Sequence, residues 1–319
     1  MANPLVSVIV SAYNRPAMLA VALQSVLGQT CTNLEILIQD DSTDTRCEAL
    51  VSTFSDPRIR YTHNSAPLGT VGNLRAGYRK SSGVLFSTLN DDDFYLPTYL
   101  ERMVAGIMQD DHCALGFSDH YIVDQAGAID AKASDANTKQ FGRLDLRDGI
   151  VANPLIVGLA RKSIPGMFAV IRRSSVDLDD FPDEVSSGYD YWLTYLALRN
   201  GGTAFYSSER LTCYRVHEGS QTLSFVDDTQ RLRSLAYSEY IQKRFLADPR
   251  VRVIHRDARR ELAQIYQSQG AIALRKDERN KAFGLFRQSI QTRPALEAFA
   301  GLCIACLPAS LIKSVSAHK

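Results

Sequence analysis

The chain has few cysteines and almost no net charge, and each shortage excludes something. Cys31, Cys47, Cys113, Cys213, Cys303 and Cys306 are scattered through 319 residues. That is no disulfide framework, and reduced thiols in a cytosolic setting fit better. Cys303 and Cys306 form a C-x-x-C inside the apolar run Phe299–Leu307, with no second pair. Packed or membrane-facing thiols are therefore expected there, not a zinc or redox site. The 36 Lys and Arg stand against 35 Asp and Glu, a net charge of +1, without a long block of like charge. A nucleic-acid partner is disfavoured on that ground. No segment reaches the roughly 18 apolar residues of a spanning helix, and the N-terminus lacks the pattern of a signal peptide. A cytoplasmic protein is expected. Gly69, Gly72 and Gly77 do not have the G-x-G-x-x-G spacing, and G-x-x-x-x-G-K-[ST] is missing too. A dinucleotide oxidoreductase or P-loop enzyme is thereby set aside.

What is present is a β-α-β-α rhythm. Leu5–Val10, Leu34–Ile38, Ile59–Tyr61, Val84–Leu89 and Ala114–Phe117 are short apolar runs of the kind that form buried strands. Leu19, Leu23, Val26 and Leu27 make a helical stripe opened by Pro16 and stopped near Gly28. Pro97 opens another, with Leu100, Met103, Val104 and Ile107. This rhythm predicts a largely parallel sheet covered by helices. Asp124–Gly149 is polar and reads as a loop or insertion. Further strands are expected at Met167–Ile171, Thr203–Tyr206 and near Leu211–Arg215, with a helix over Tyr189–Asn200.

After Val226 only helical patterns remain, at Arg231–Leu246, Asp257–Gln269, Glu278–Thr292 and Ala295–Val315. Two domains follow, residues 1–225 and a helical region 226–319. Ala263, Tyr266, Gly270, Ala282 and Phe286, with Pro294 beyond, weakly resemble one tetratricopeptide-type pair, but one unit is no array. A helical cap is the simpler expectation. The last helix is apolar nearly all round and is followed by Lys313 and Lys319, which suits either a buried core helix or one lying in a membrane interface.

In an open parallel sheet, ligands bind beyond the carboxyl ends of the strands. Three polar clusters stand there: Ser11-Ala12-Tyr13-Asn14, Asp40-Asp41-Ser42 and Asn90-Asp91-Asp92-Asp93. Parallel strands would gather all three on one rim. Three adjacent carboxylates repel one another and call for a cation, and Mg²⁺ or Mn²⁺ with phosphate oxygens fits. A solvated acidic turn capping the helix at Pro97 is the plainer alternative. Asp40 suits hydrogen bonding to a base or ribose, and Tyr13 offers a face for a base to stack on. The structural alternatives are Asp40 or Asp41 in a turn and Tyr13 as a packed aromatic.

In this order the clusters resemble the family 2 glycosyltransferases of bacterial type, enzymes of the GT-A fold. Val6-Ser-Val-Ile-Val-Ser-Ala-Tyr-Asn-Arg resembles their opening strand and loop, and Asp40-Asp41-Ser42-Thr43-Asp44 their second motif. Leu89-Asn90-Asp91-Asp92-Asp93-Phe94-Tyr95-Leu96-Pro97 resembles their metal-binding D-x-D segment, with Asn90 where the first Asp is frequent. The resemblance, which covers roughly Pro4–Thr222, places metal on Asp92 and ribose or phosphate near Asp91. Ser11, Tyr13, Asn14 and Asp40 then hold the nucleoside, and Leu68-Gly69 with Asn73 resembles the loop closing over it. The family's base commonly stands in Glu-Asp-x-Asp-aromatic-Trp. Here the stretch reads Ser187-Gly188-Tyr189-Asp190-Tyr191-Trp192, so Asp190 is the carboxylate left in place, with Asp183 and Glu184 in reserve. Cys213-Tyr-Arg-Val-His217 resembles a late segment in which Arg215 contacts phosphate and His217 the metal or diphosphate.

The resemblance implies a GT-A α/β fold, Rossmann-like and flanked by helices, with a C-terminal helical extension. It implies an inverting transfer of a sugar from a nucleotide-sugar donor, UDP-type favoured, to a hydroxyl of a glycan or glycolipid. Surface polysaccharide assembly at the inner face of the cell membrane is the setting that goes with it. Two rivals remain. A sugar nucleotidyltransferase would want a basic, glycine-rich N-terminal loop, and Ser11–Pro16 supplies only Arg15. A catalytically silent sugar-nucleotide-binding or scaffold protein would account for the missing Glu-Asp pair.

Overall fold

The structure, a computed structural model, describes residues 5–217 and 227–306. The chain divides into two compact units, Met1–Leu223 and Ser224–Lys319.

The first unit is built as the apolar runs dictate. β1 (Val6–Ala12), α1 (Pro16–Leu27), β2 (Leu34–Asp40), α2 (Arg46–Val51), β3 (Ile59–His63), α3 (Gly69–Lys80) and β4 (Leu85–Asn90) alternate in chain order. β1 pairs in parallel with both β2 and β4, and β2 with β3. Val6, Val8, Val10, Leu34, Ile36, Ile38, Leu85 and Leu89 are buried against Leu19, Leu23 and Val26 of α1 in one core. Continuous burial on both faces explains why these strands are uninterrupted apolar runs and not alternating ones.

Beyond β4 the sheet becomes mixed. β5 (Phe94–Tyr95) and α4 (Tyr99–Ile107) lead into β6 (Cys113–Val123). Then come β7 (Ile129–Asp130), α5 (Ala131–Gln140), β8 (Gly149–Ile150), β9 (Val170–Arg172), α6 (Tyr189–Leu198) and β10 (Thr203–Arg215). The main path runs β3-β2-β1-β4-β9-β6-β10-β5. β9 is antiparallel to both of its neighbours, β4 and β6, while β10 runs parallel to β6.

Three expectations change in this half. The sheet is parallel only in blocks, because β9 enters it in the reverse sense. The two strands expected after Thr203 are one, bent by register shifts between Ser207 and Arg210 and between Arg210 and Thr212. The polar stretch 124–149 is not merely loop, since it contains α5. Asp130 caps that helix by accepting from the Ala133 N–H at 2.9 Å. Its buried residues are Ser134 and Thr138, bonded to the Ile122 N–H and to Asp119 of β6. A helix that docks through hydroxyls leaves no apolar stripe to read.

The second unit holds α7 (Asp228–Ala247), α8 (His255–Arg275), α9 (Arg279–Thr292) and α10 (Leu296–Cys306). The segment expected to run on to Val315, with Lys313 and Lys319, lies beyond the described residues from 307 onward, as does the 218–222 end of the motif stretch. Among the described residues, no helix is long and apolar enough to cross a membrane.

Candidate active site

The register of the parallel strands brings the three polar clusters together. Ala12 at the end of β1 lies opposite Asp40 of β2, and Ser11 opposite Asn90 of β4. The Asp41 N–H donates to the Ala12 carbonyl and the Asp91 N–H to the Ser11 carbonyl, each at 3.0 Å. All three loops therefore leave the sheet side by side.

On one flank the Tyr13 ring is half exposed, while its N–H donates to Asp91 Oδ2 at 2.9 Å. Asn14 adopts φ +56°, a left-handed conformation that asparagine tolerates. Its Oδ1 accepts from the Thr43 N–H at 2.9 Å and its own N–H donates to Ser42 Oγ at 2.8 Å, so it stitches the first loop to the second. Ser11 Oγ donates to Asn90 Oδ1 at 3.3 Å.

Asp40 is wholly buried. Its Oδ2 accepts the Tyr61 hydroxyl at 2.6 Å and its Oδ1 the Ser42 N–H at 2.8 Å. Both oxygens are thus engaged within the fold, and the aspartate anchors the loop from beneath. Asp41 accepts from the Leu68 N–H at 3.0 Å and from Asn64 Nδ2 at 2.7 Å. Asn73 is buried in α3, receiving Asn64 Nδ2 at 2.8 Å and donating to the Gln39 carbonyl at 2.9 Å. The Leu68–Asn73 segment is therefore tied directly to the end of β2.

The carboxylate run divides three ways. Arg15 donates to Asp91 Oδ1 at 2.5 Å and to Asp92 Oδ2 at 2.6 Å. His217 Nε2 lies 3.2 Å from the same Asp92 oxygen and 3.3 Å from Arg15 Nη1. Asp91 is almost wholly buried, and burial pushes its carboxyl up to about 7, with Arg15 opposing and Asp92 adding to the rise. Asp93 points inward: Oδ1 accepts the Arg215 N–H at 2.9 Å, while the buried Oδ2 has no partner among the described residues. Burial, then the Asp92 charge, hold its carboxyl well above the usual range.

Arg215 does not open onto the rim. Its guanidinium donates to the carbonyls of Asp92 at 2.7 Å, Gln125 at 2.8 Å and Asp124 at 3.3 Å, over the Phe94 ring. A planar fork buried among carbonyls fixes the backbone that carries Asp92.

Asp190 stands in the first turn of α6, where Gly166 passes so close that a Cβ there would lie 2.0 Å from the Asp190 carbonyl oxygen. The preceding Tyr189 donates its hydroxyl to Asn90 Oδ1 at 2.9 Å, joining this helix start to the carboxylate run. A helix start by itself would lower a carboxyl pKa. Asp190 is partly exposed, yet desolvation of its carboxyl outweighs the helix start and raises the pKa, against the backbone N–H bonds and the Lys162 charge. The reserves point elsewhere: Asp183 is exposed and paired with Arg75 at 2.9 Å, and Glu184 is exposed. Ser186, just upstream, takes φ +44°, a strained turn entering the helix.

Arg15, which the sequence leaves isolated, is the cation that pairs with Asp91 and Asp92. Three carboxylates demand a cation, and the only basic residue in the loop after β1 was the signal. Among the described residues, no three or more of His, Cys, Asp and Glu are grouped to hold a metal ion. Asp92 Oδ2 and His217 Nε2 are donors of the right kind for a shared ion, but Arg15 Nη1 lies 2.6 and 3.3 Å from them, so an ion there would take the place of the guanidinium. Asp92 and His217 offer one carboxylate and one imidazole, and Mg²⁺ or Mn²⁺ takes few protein carboxylates and fills its shell with phosphate and water oxygens.

Residues 7–177 match the model of Glycosyl transferase family 2. An uncharacterized glycosyltransferase of Haemophilus influenzae is 36% identical over 129 residues, 40% of each chain, so the match spans less than half of that relative. In Escherichia coli, the UDP-Glc:alpha-D-GlcNAc-diphosphoundecaprenol beta-1,3-glucosyltransferase WfgD is 26% identical over 196 residues, 61% of this chain and 71% of that one. Among solved structures, S. aureus TarS 1-349 in complex with UDP-GlcNAc aligns with a TM-score of 0.64 at 16% identity, over 91% of this chain and 81% of that one. That likeness confirms the GT-A type of fold. With the family model covering more than half of its length, the chain belongs to glycosyl transferase family 2.

Proposed function

We propose that this glycosyltransferase moves a sugar from a nucleoside-diphosphate donor, UDP-type favoured, to a hydroxyl of a lipid-linked glycan, with inversion at the anomeric carbon. The observation that carries it is the shared rim. There Tyr13, whose ring is half exposed, donates its N–H to Asp91, Arg15 joins Asp91 to Asp92, and the Tyr189–Asn90 bond tethers the start of α6 to the same run.

Tyr13 stacks on the base, and Ser11 and Asn14 shape the ribose side. Asp91, buried with Oδ2 on the Tyr13 N–H and Oδ1 on Arg15, holds that loop and the guanidinium in place and does not itself meet ribose or phosphate. Asp40 and Asn73 serve by fixing the loops that enclose the nucleotide, since their polar atoms are engaged inside the fold. Asp92 and His217 would hold a divalent ion together with the diphosphate, and that ion supplies charge stabilisation for the leaving group. Arg15, already among these carboxylates, would offer its charge to the same phosphates.

Asp190 takes the proton of the acceptor hydroxyl as its oxygen bonds to the anomeric carbon and the bond to the diphosphate breaks. Its raised pKa suits that role better than an ordinary surface aspartate. The UDP preference draws on WfgD, named for UDP-Glc, and on TarS, solved with UDP-GlcNAc and with UDP. The lipid-linked acceptor draws on WfgD and WfaP, named for diphosphoundecaprenol-linked substrates, and a reaction at the inner face of the cell membrane is the setting proposed with it.

The test is calorimetric titration with UDP, GDP, ADP and CDP, with and without Mn²⁺, on the parent and on Asp92→Ala. Metal-dependent binding of UDP, lost in the variant, supports the reading; no binding of any nucleotide sinks it. Because Ser187-Gly188 replaces a Glu-Asp pair, binding without any transfer or hydrolysis would point to a silent nucleotide-sugar-binding protein instead.

A further inference from the structure

The second unit has an unusual last helix. Helices in water-soluble units turn their large apolar residues inward, and α10 does so with Leu302 alone. Ala298, Gly301 and Ala305 are buried, and Ala305 with Leu302 joins the small core formed by Ala273, Ala282 and Phe286. The approach is close: a Cβ on Gly301 would lie 2.4 Å from the Phe286 ring. Small residues inward leave the large ones outward. Leu296 is 84% exposed, Phe299 47% and Ile304 42%, and Cys303 and Cys306 are exposed beside them. At 100° per residue these five residues and Ala300 span one continuous face, with Glu297 at its margin.

Charge supplies a second, independent observation. The overall +1 hides a division between the two units. Residues 224–319 contain 17 Lys and Arg against nine Asp and Glu, a net +8, which leaves residues 1–223 at −7. Arg287 of α9, the helix on which α10 packs, and Arg293 of the connection are exposed and have no ion-pair partner among the described residues.

We infer that the outward face of α10, with the basic residues around it, docks on an anionic lipid surface. An uncharged apolar stripe bordered by cations is what an interfacial helix presents: the stripe enters the acyl boundary while Lys and Arg meet the head groups. A second copy of the chain fits less well, because pairing this face with itself would bring two +8 units together. An acidic protein surface would satisfy the charge and leave Leu296, Phe299 and Ile304 without a counterpart. The docking is a property of the second unit and stands apart from the chemistry of the rim, though it agrees with a lipid-linked acceptor.

The experiment is flotation of the full-length protein with vesicles of phosphatidylcholine alone and of phosphatidylcholine with phosphatidylglycerol, at low and high salt. The expected result is capture by the anionic vesicles, weakened by salt and absent with neutral ones. Phe299→Ser with Ile304→Ser should weaken capture by about tenfold or more, and so should Arg287→Glu with Arg293→Glu. These residues are exposed, so unfolding midpoints and nucleotide titrations should match the parent, separating a failure here from a failure at the rim. The inference is overturned by no capture on anionic vesicles, or by capture indifferent to both pairs of substitutions. Self-association by light scattering that Phe299→Ser abolishes, without lipid binding, would likewise overturn it and assign the face to a second copy.

Discussion

Arg15 and Asp91 stand 76 residues apart in the chain and 2.5 Å apart in the fold, with Arg15 reaching Asp92 through its other terminal nitrogen. Asp91 is almost fully buried, so its charge is tolerable only beside that guanidinium. Removing the cation should therefore cost stability as well as function. Arg15→Met is expected to lower unfolding free energy by about 1–3 kcal/mol, a range kept small because the arginine is partly exposed. Adding Asp91→Asn should recover most of that loss, as a double-mutant cycle in chemical denaturation would read. Additive losses would mean that the pair is not coupled.

Asp190 carries the pH prediction. Its carboxyl pKa is raised by burial, and a base works only when deprotonated. The acidic limb of kcat against pH should therefore lie above the range of an ordinary aspartate and vanish in Asp190→Asn. That variant should lose about 10²–10⁴-fold in transfer while keeping nucleotide affinity. Stability runs the other way. A carboxylate whose folded pKa exceeds its unfolded one weakens the fold as pH rises through the folded pKa. Asp190→Asn should thus melt higher than the parent at neutral pH, with the gain fading in acid; no gain at pH 7 would contradict the burial argument.

Chelation offers a direct reading of the Asp92–His217 pair, whose facing atoms lie 3.2 Å apart. EDTA is expected to stop transfer and Mn²⁺ to restore it. His217→Ala should raise the Mn²⁺ concentration for half-maximal rate by about tenfold or more. Full activity after exhaustive chelation would remove the ion from the proposal and leave Arg15 as the cation facing the diphosphate.

Arg215 separates two roles. Its guanidinium donors meet the carbonyls of Asp92, Asp124 and Gln125, so Arg215→Met should destabilise by about 2–4 kcal/mol and expose the 124–128 turn to protease. Affinity for UDP should fall less than about threefold. A loss of a hundredfold would place the side chain on phosphate after all.

His120 predicts acid sensitivity. Burial, then the neighbouring Arg143, hold its pKa down at about 3, with Asp119 opposing and Arg210 assisting, while the Phe168 and Tyr214 rings pack against it. The unfolded chain takes up a proton near pH 6.5 that the folded chain refuses. Stability should therefore fall as pH drops from about 6.5 toward 3, by up to about 1.4 kcal/mol per pH unit from this one group. Urea titrations of His120→Gln should show a shallower slope, and an identical slope would assign the acid loss to other residues.

The sequence by itself determined the strand–helix rhythm of the first unit and its three polar clusters. Burial on both faces of a parallel sheet writes itself locally, as uninterrupted runs such as Val6–Val10 and Leu34–Ile38. Once those strands are parallel and in register, their following loops share a rim without further information. The helical character of 228–306 was legible for the same reason, since a 3.6-residue period is a local signal.

What only the tertiary structure decided is which partner each polar atom meets. Asp40 looks free in sequence and is held by Tyr61; Arg215 looks like a phosphate ligand and meets carbonyls. Arg15 looks isolated and sits among the carboxylates, and α5 hides because Ser134 and Thr138 dock it by hydrogen bonds. A hydrophobic period records how deeply a side chain is buried, which neighbouring residues suffice to express. A hydrogen bond or ion pair depends on groups brought within about 3 Å from distant parts of the chain, and only the folded chain makes that choice.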